Sequence, residues 1–210
     1  MKPKNRVGTE RVPFLFVGNQ LCLDFINTEM IIRGQRTDLL EAPSDLHRWA
    51  VQAGLLSQAE ARSAADNPRI LNEAKVFRAV LRETVERIVA GKPVSGQAVD
   101  AINRLLSQRP GYPQIHRTAG RFERRFHSTG HESTQLLVPL AEAASDLLCT
   151  GDLSLVKKCQ HDACILYFYD TTKNHTRQWC SMELCGNRMK AAAHYRREKK
   201  GGRDHRSSRP

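Results

Sequence analysis

The sequence predicts a mainly α protein of the α+β class: a helical N-terminal domain with a small β-hairpin component, followed by a compact, cysteine-rich C-terminal module. Three observations carry that prediction. Amphipathic segments with helix-start and helix-stop residues fill most of residues 44–106 and 136–148. Alternation on either side of Ala119-Gly120 interrupts the helical period. Four cysteines form two close pairs of equal spacing, Cys159/Cys164 and Cys180/Cys185, with an aromatic run between them and a basic stretch after them.

At 210 residues the chain can bury a core and still carry a small module. No run approaches the ~18 apolar residues that a bilayer span needs, and VPFLFVGNQLCL is interrupted by Gly18, Asn19 and Gln20, so neither a membrane segment nor a signal peptide is expected. Six cysteines without a secretion signal imply a reducing compartment, the cytoplasm by default, where close pairs hold metal more often than they form disulfides. Cys22 and Cys149 stand alone among apolar neighbours and are expected to pack as small hydrophobes. The net charge is +11, and residues 151–210 hold 13 Lys/Arg against 6 Asp/Glu, so the positive charge concentrates at one end.

Residues 1–12, rich in Pro, Gly and Arg, read as a flexible N-terminus, and residues 13–150 as the helical domain. After the apolar run at Phe14 and Phe16, a helix is expected from Leu21 through Met30. Asp24 and Asn27 share one side of it among residues that want burial. They either brace neighbouring backbone or line a small-molecule pocket. Ser44 is the expected N-cap of a helix carrying Leu46, Trp49, Ala50 and Ala53 and ending at Gly54. Ser57 and Glu60 form a capping-box pattern for a short helix. The longest helix places Ile70, Ala74, Phe77, Leu81, Val85 and Ile88 on its buried stripe, with Arg78, Arg82, Glu83, Glu86 and Arg87 off it. Ser95 caps a helix with Val99, Ile102, Leu105 and Leu106 inward, and Ile115, Arg117, Phe122, Arg124 and Phe126 fit a hairpin around Ala119-Gly120. A last helix, Leu136 to Leu148, has Pro139 near its first turn. Gly151-Asp152 marks the boundary to a module over 154–198, and residues 199–210 read as a disordered basic tail.

Four thiolates suit one structural Zn²⁺, which takes tetrahedral sulfur ligands and leaves no open position for water. Cys159, Cys164, Cys180 and Cys185 are the ligands this predicts, with His161 and His175 as competitors better placed on the loop surface. Ile165, Tyr167, Phe168 and Tyr169 form a β-prone run and Asp170 to Asn174 supply turn residues, so a hairpin is expected between the two metal knuckles. A basic helix follows Cys185. Because four thiolates leave the centre at a formal −2, Lys157, Lys158 and Arg188 could partly serve the metal site itself. So short a segment needs its metal in order to fold.

The module resembles the CGNR zinc finger of bacterial proteins, on Cys185-Gly186-Asn187-Arg188, the preceding RQWCSM run, the FYDTTKNHTR segment and the HYRR stretch. The GNQLCLDFINT and DLLEAPSDLHRWAVQAGLL stretches resemble the ABATE domain that accompanies this finger. The chain departs from the finger's pattern at Ile165-Leu166, where an aromatic residue is common, and at Ala191-Ala192-Ala193 in the helix. The resemblance implies a stress-associated transcription regulator with the four cysteines on zinc and the basic helix as the DNA contact.

Two functions follow as expectations. The first is a DNA-binding regulator whose Arg188, Lys190, Arg196, Arg197, Lys199 and Lys200 meet phosphates, while the helical domain senses an effector or forms a homodimer. The second is a small-ligand-binding or protein-interaction protein in which the zinc module only clamps the C-terminus, the sign of which is a basic helix packed against residues 1–150. A nucleophile with its base, an open metal position and a phosphate loop are all lacking, so no enzyme is expected.

Overall fold

A computed structural model describes the backbone of residues 12–109, 111–118, 120–129 and 132–204, and their side chains except at 118, 125–128, 132–135 and 196–204. The predicted flexible N-terminus up to residue 11 and the predicted tail from residue 205 lie outside the described residues. In chain order the elements are α1 (Leu21–Ile26), β1 (Glu29–Ile32), β2 (Gln35–Asp38), α2 (Pro43–Gln52), α3 (Gln58–Ser63), α4 (Pro68–Val89) and α5 (Gly96–Leu106). There follow β3 (Gly111–Thr118), β4 (Arg121–Ser128), α6 (Glu132–Thr150), a 3₁₀ turn (Leu153–Leu155), β5 (Val156–Lys158), β6 (Tyr167–Tyr169), a π-helical turn (Met182–Gly186) and α7 (Asn187–Asp204). The strands form three antiparallel pairs, β1 with β2, β3 with β4 and β5 with β6.

Local chemistry sets most boundaries. Ser57 Oγ accepts from the Glu60 N–H at 3.2 Å while the Glu60 carboxylate accepts from the Ser57 N–H at 2.7 Å, which closes the predicted capping box. Ser95 caps α5 through the Ala98 N–H. α2 starts two residues before the expected position. Pro43, whose ring pre-sets a helical φ, occupies its first turn, and the Asp45 carboxylate collects the N–H groups of Glu41 and Ala42, so Ser44 is not the cap. The core gathers Phe25, Trp49, Phe77, Leu81, Leu136 and Leu140 from α1, α2, α4 and α6.

Further expectations for the helical domain are corrected. The helix from Leu21 stops at Ile26, and Glu29–Ile32 turns back as a strand on Gln35–Asp38. Arg33 and Gly34, both at positive φ, make the two-residue turn that suits a twisted hairpin, and β-branched Ile31 and Ile32 favour the strand. Arg78 and Arg82, expected outside the α4 stripe, are 3% and 6% exposed. Arg78 meets both oxygens of Asp38 at 2.7 Å and the Thr28 hydroxyl at 2.7 Å. Arg82 donates to the carbonyls of Ile26, Glu29 and Ile165 and pairs with the Glu29 carboxylate at 3.1 Å, so it satisfies an orphan carbonyl at the end of α1. Burial alone would raise the Asp38 carboxyl, but Arg78 and Lys75 hold it down to about 2.

In α5 it is Ala98, with Ile102, that faces inward, and Val99 is exposed. α6 begins before Leu136, which places Pro139 in its interior. The lost backbone bond is offset by burial of Leu136, Leu137, Leu140 and Ala141 around it. Cys149 is exposed on α6, whereas Cys22 packs inside, where burial pushes its thiol up to about 12. The β3–β4 hairpin stands where the alternation predicts it, with Ile115 and Phe122 exposed and the Arg117 guanidinium 5.9 Å from the Phe122 ring centre.

Candidate metal centre

The first knuckle is the turn of a hairpin. β5 and β6 pair as Val156↔Tyr169, Lys157↔Phe168 and Lys158↔Tyr167, so residues 159–166 form the connecting loop. The Cys159 N–H donates to the Leu166 carbonyl at 2.9 Å and the Cys164 N–H to the His161 carbonyl at 2.8 Å, which aims both thiols inward. The expectation of a hairpin between the two cysteine pairs is therefore corrected. The aromatic run finds its partner upstream of Cys159, because that register lets the Val156 and Tyr167 side chains reach the main core.

The second knuckle has the same spacing but a different backbone. After Cys180 the chain makes a π-helical turn in which the N–H groups of Cys185 and Gly186 share the Ser181 carbonyl, while Ser181 Oγ accepts from the Leu184 N–H. A Cβ at Gly186 would lie 2.5 Å from Met182 Sδ and 3.1 Å from Trp179 Cδ1, so a side chain there has to displace the exposed Met182 thioether.

The ligand atoms of Cys159, Cys164, Cys180 and Cys185 lie within 4.8 Å of one another, and all four residues are buried. Sulfurs about 2.3 Å from a tetrahedral zinc are separated by about 3.8 Å. Cys164 to Cys180 is 3.9 Å and Cys180 to Cys185 is 3.5 Å, so the donor set fits one structural zinc with no open position. Without a cation the four groups compete for protons. Hydrogen bonds from Cys164 and Cys180 pull the Cys159 thiol far below its ordinary range, and the interaction with Cys159 is also the main cause that pushes Cys164 and Cys180 up. A divalent ion resolves that competition by taking all four as thiolates. His161 Nδ1 instead accepts the Ala163 N–H, and His175 is exposed.

Residues 156–198 match the CGNR zinc finger, and residues 19–151 match ABATE, a family described as "Putative stress-induced transcription regulator". The chain belongs to the ABATE family. Among curated proteins, none matches it. No described helix is long and apolar enough to cross a membrane.

In this ABATE protein the finger does not hang from a linker. Residues 14–17, upstream of both matched stretches, alternate between two cores: Phe14 is buried in the main core and Phe16 stacks 6.2 Å from Trp49, while Leu15 and Val17 pack on the cysteine cluster. β6 alternates the same way, with Tyr167 and Tyr169 on the main core and Phe168, fully buried, on the cysteines. The Asn27 amide closes the seam, donating to the Tyr167 carbonyl at 2.8 Å and accepting the Tyr167 N–H at 3.0 Å. Gly18 accepts from the Tyr169 N–H at 2.8 Å, and Asn19 donates to the Tyr169 carbonyl.

Both polar residues singled out near α1 thus meet backbone. Asn27 holds β6, and Asp24 Oδ1 accepts the Gly18 N–H at 2.7 Å. Burial pushes the Asp24 carboxyl up to about 6, against the pull of that N–H. Lys157 is not free for the thiolates, because it binds Asp170 Oδ2 at 2.7 Å and the His175 carbonyl. Burial alone would raise the Asp170 carboxyl, yet Lys157, Thr172 and the Arg177 N–H hold it well below the carboxylate range. Among the described residues, Arg177 is a cation that braces the backbone of the second knuckle. Its guanidinium lies 4.1 Å from the Phe168 ring centre and binds the carbonyls of Val17, Trp179 and Cys180. Nothing in the sequence marks Arg177 beyond its place in the RQWC run, and the unbroken apolar run Phe14–Val17 does not show that its two faces divide between two cores.

α7 differs. Arg188 and Lys190 are exposed, and the described side chains from Asn187 to Tyr195 are exposed or half-buried. The side chains of Arg196, Arg197, Lys199 and Lys200 lie outside the described residues, while the backbone helix continues to Asp204, past the predicted module end at 198.

Proposed function

We propose that the protein is a cytoplasmic, non-catalytic regulator that binds duplex DNA through α7, with the zinc fixing the angle at which that helix leaves the body. One observation carries this reading: a helix with seven Lys/Arg against two Asp/Glu leaves a metal-anchored knuckle with Arg188 and Lys190 exposed. Such a helix neutralises phosphates and releases counterions. Each phosphate contact contributes about 0.9 to the slope of log affinity against log salt. The test is a gel shift of the zinc-loaded chain across a salt series. Binding should fall steeply with salt, and an absence of any shift at low salt rejects the reading.

The seam between finger and helical domain favours a second reading, in which the finger clamps the chain end and the protein binds a small ligand or another protein. Zinc-loaded protein that shifts no DNA yet captures such a partner would establish it.

A further inference from the structure

Between the extended N-terminal segment, the β1–β2 hairpin and the two knuckles lies a cavity of about 500 Å³. Its body is apolar, formed by Leu15, Met30, Leu166 and Leu184 together with the sulfur face of the knuckles. Its charged and titratable side chains other than the cysteines are Arg33, His161 and Arg188, with no carboxylate among the lining residues. Pockets of this volume at a junction between structural units, apolar with a few convergent polar groups, are where small ligands bind. The apolar walls suit an apolar body, and Arg33 and Arg188, set against the formal −2 of the zinc-loaded cysteines in the same lining, offer guanidinium forks to one anionic head.

We propose that this cavity binds a small amphipathic organic anion, a carboxylate with an apolar tail, whose head pairs with Arg188 and Arg33 and whose tail lies on Leu15, Met30 and Leu184. The site needs both matched parts of the chain, since β1 and the knuckles each supply a wall. A carboxylate is preferred over a neutral ligand because a guanidinium presents a planar fork of donors to it. The second half of the inference rests on the DNA reading. Arg188 is also the first basic residue of α7, so an anion that holds it draws it from phosphate, and by linkage DNA must weaken the anion by the same factor.

The probe is octanoate, titrated calorimetrically into the zinc-loaded full chain at low salt, with octylamine as the charge-reversed control. Octanoate should saturate at one per chain and bind at least about tenfold more tightly than octylamine, the range expected for one charge-assisted hydrogen bond. Arg188→Gln should weaken octanoate by about the same factor. Ile31→Trp, which fills the cavity from a wall residue outside both hydrophobic cores, should abolish binding without moving the thermal midpoint. The inference fails if octanoate does not saturate at millimolar concentration, if octylamine binds equally, or if both variants bind as the native chain does. In a gel shift, octanoate should lower DNA affinity. A chain that binds octanoate but shifts no DNA overturns only the DNA reading, and one that shifts DNA but ignores octanoate overturns only the cavity.

Discussion

The knuckles and the helix that leaves them are adjacent in sequence but held by unlike forces. The knuckle cysteines are buried, and beside them Tyr167 of β6 and the Arg177 side chain bond to residues about 140–160 positions away, with that arginine spent on three carbonyls. α7 exposes its described cations and has its main contacts with the π-helical turn at its own start. Positive charge therefore has two uses in one chain. Arg78, Arg82 and Arg177 close polar gaps in the interior, and Arg188 and Lys190 face outward. Net charge alone cannot separate them, and only the second group is available to a polyanion.

Substitutions can break this contrast in order of expected size. Cys180→Ser removes one of four zinc ligands, and structural zinc contributes on the order of 10 kcal/mol to such modules. The zinc content should fall well below one per chain, and because β6 belongs to both cores the whole chain should lose its single cooperative melt. A separate, unchanged melt for residues 19–151 would show the seam to be weak. Arg82→Met leaves three carbonyls without their donor, while Glu29 keeps Arg36 and Arg78, and should cost on the order of 3 kcal/mol in urea unfolding. Asn27→Leu strands the N–H and carbonyl of Tyr167, for a loss of about 1–3 kcal/mol by the same measurement.

Asp24→Asn should act in the other direction. The folded carboxyl titrates at about 6, above its ordinary 3.8, so the folded state binds the proton more tightly and its stability falls as pH rises between those values. The amide keeps the acceptor for Gly18 and cannot ionise. Its gain should reach roughly 1–2 kcal/mol at pH 7.5 and vanish near pH 4, read from paired urea titrations. Lys190→Gln, on the outward helix, should move stability by less than about 0.5 kcal/mol yet lower the DNA salt slope by about one. A large stability loss there would place α7 among the packed elements instead.

Much of this was legible in residues. Two cysteine pairs, a capping box at Ser57-Glu60 and the alternation around Ala119-Gly120 are local signals, and each produced the element it implies. The helix expected through Met30 failed because its competitor is tertiary. Six residues of helix followed by a hairpin become favourable only once Arg78 and Arg82, some 50 residues on, cover the polar ends. Those arginines were misplaced for the same reason: a stripe drawn from apolar residues cannot show that a flanking guanidinium has buried acceptors. The pairing of β6 with β5, and the dual facing of residues 14–17, likewise depend on which two surfaces meet.

The alternation of β6 has a consequence for the order of events during synthesis. Its tyrosines complete a core begun by residues 14–26, yet they are translated last among the residues that core requires. The N-terminal segment must therefore wait, its Gly18 carbonyl and Asn27 amide unmatched, until residues 167–177 have left the ribosome. Closing so long a loop is slow. A nascent chain cut before β6 would carry α1 to α6 with an open apolar face, and metal loading and completion of the helical domain become one late step.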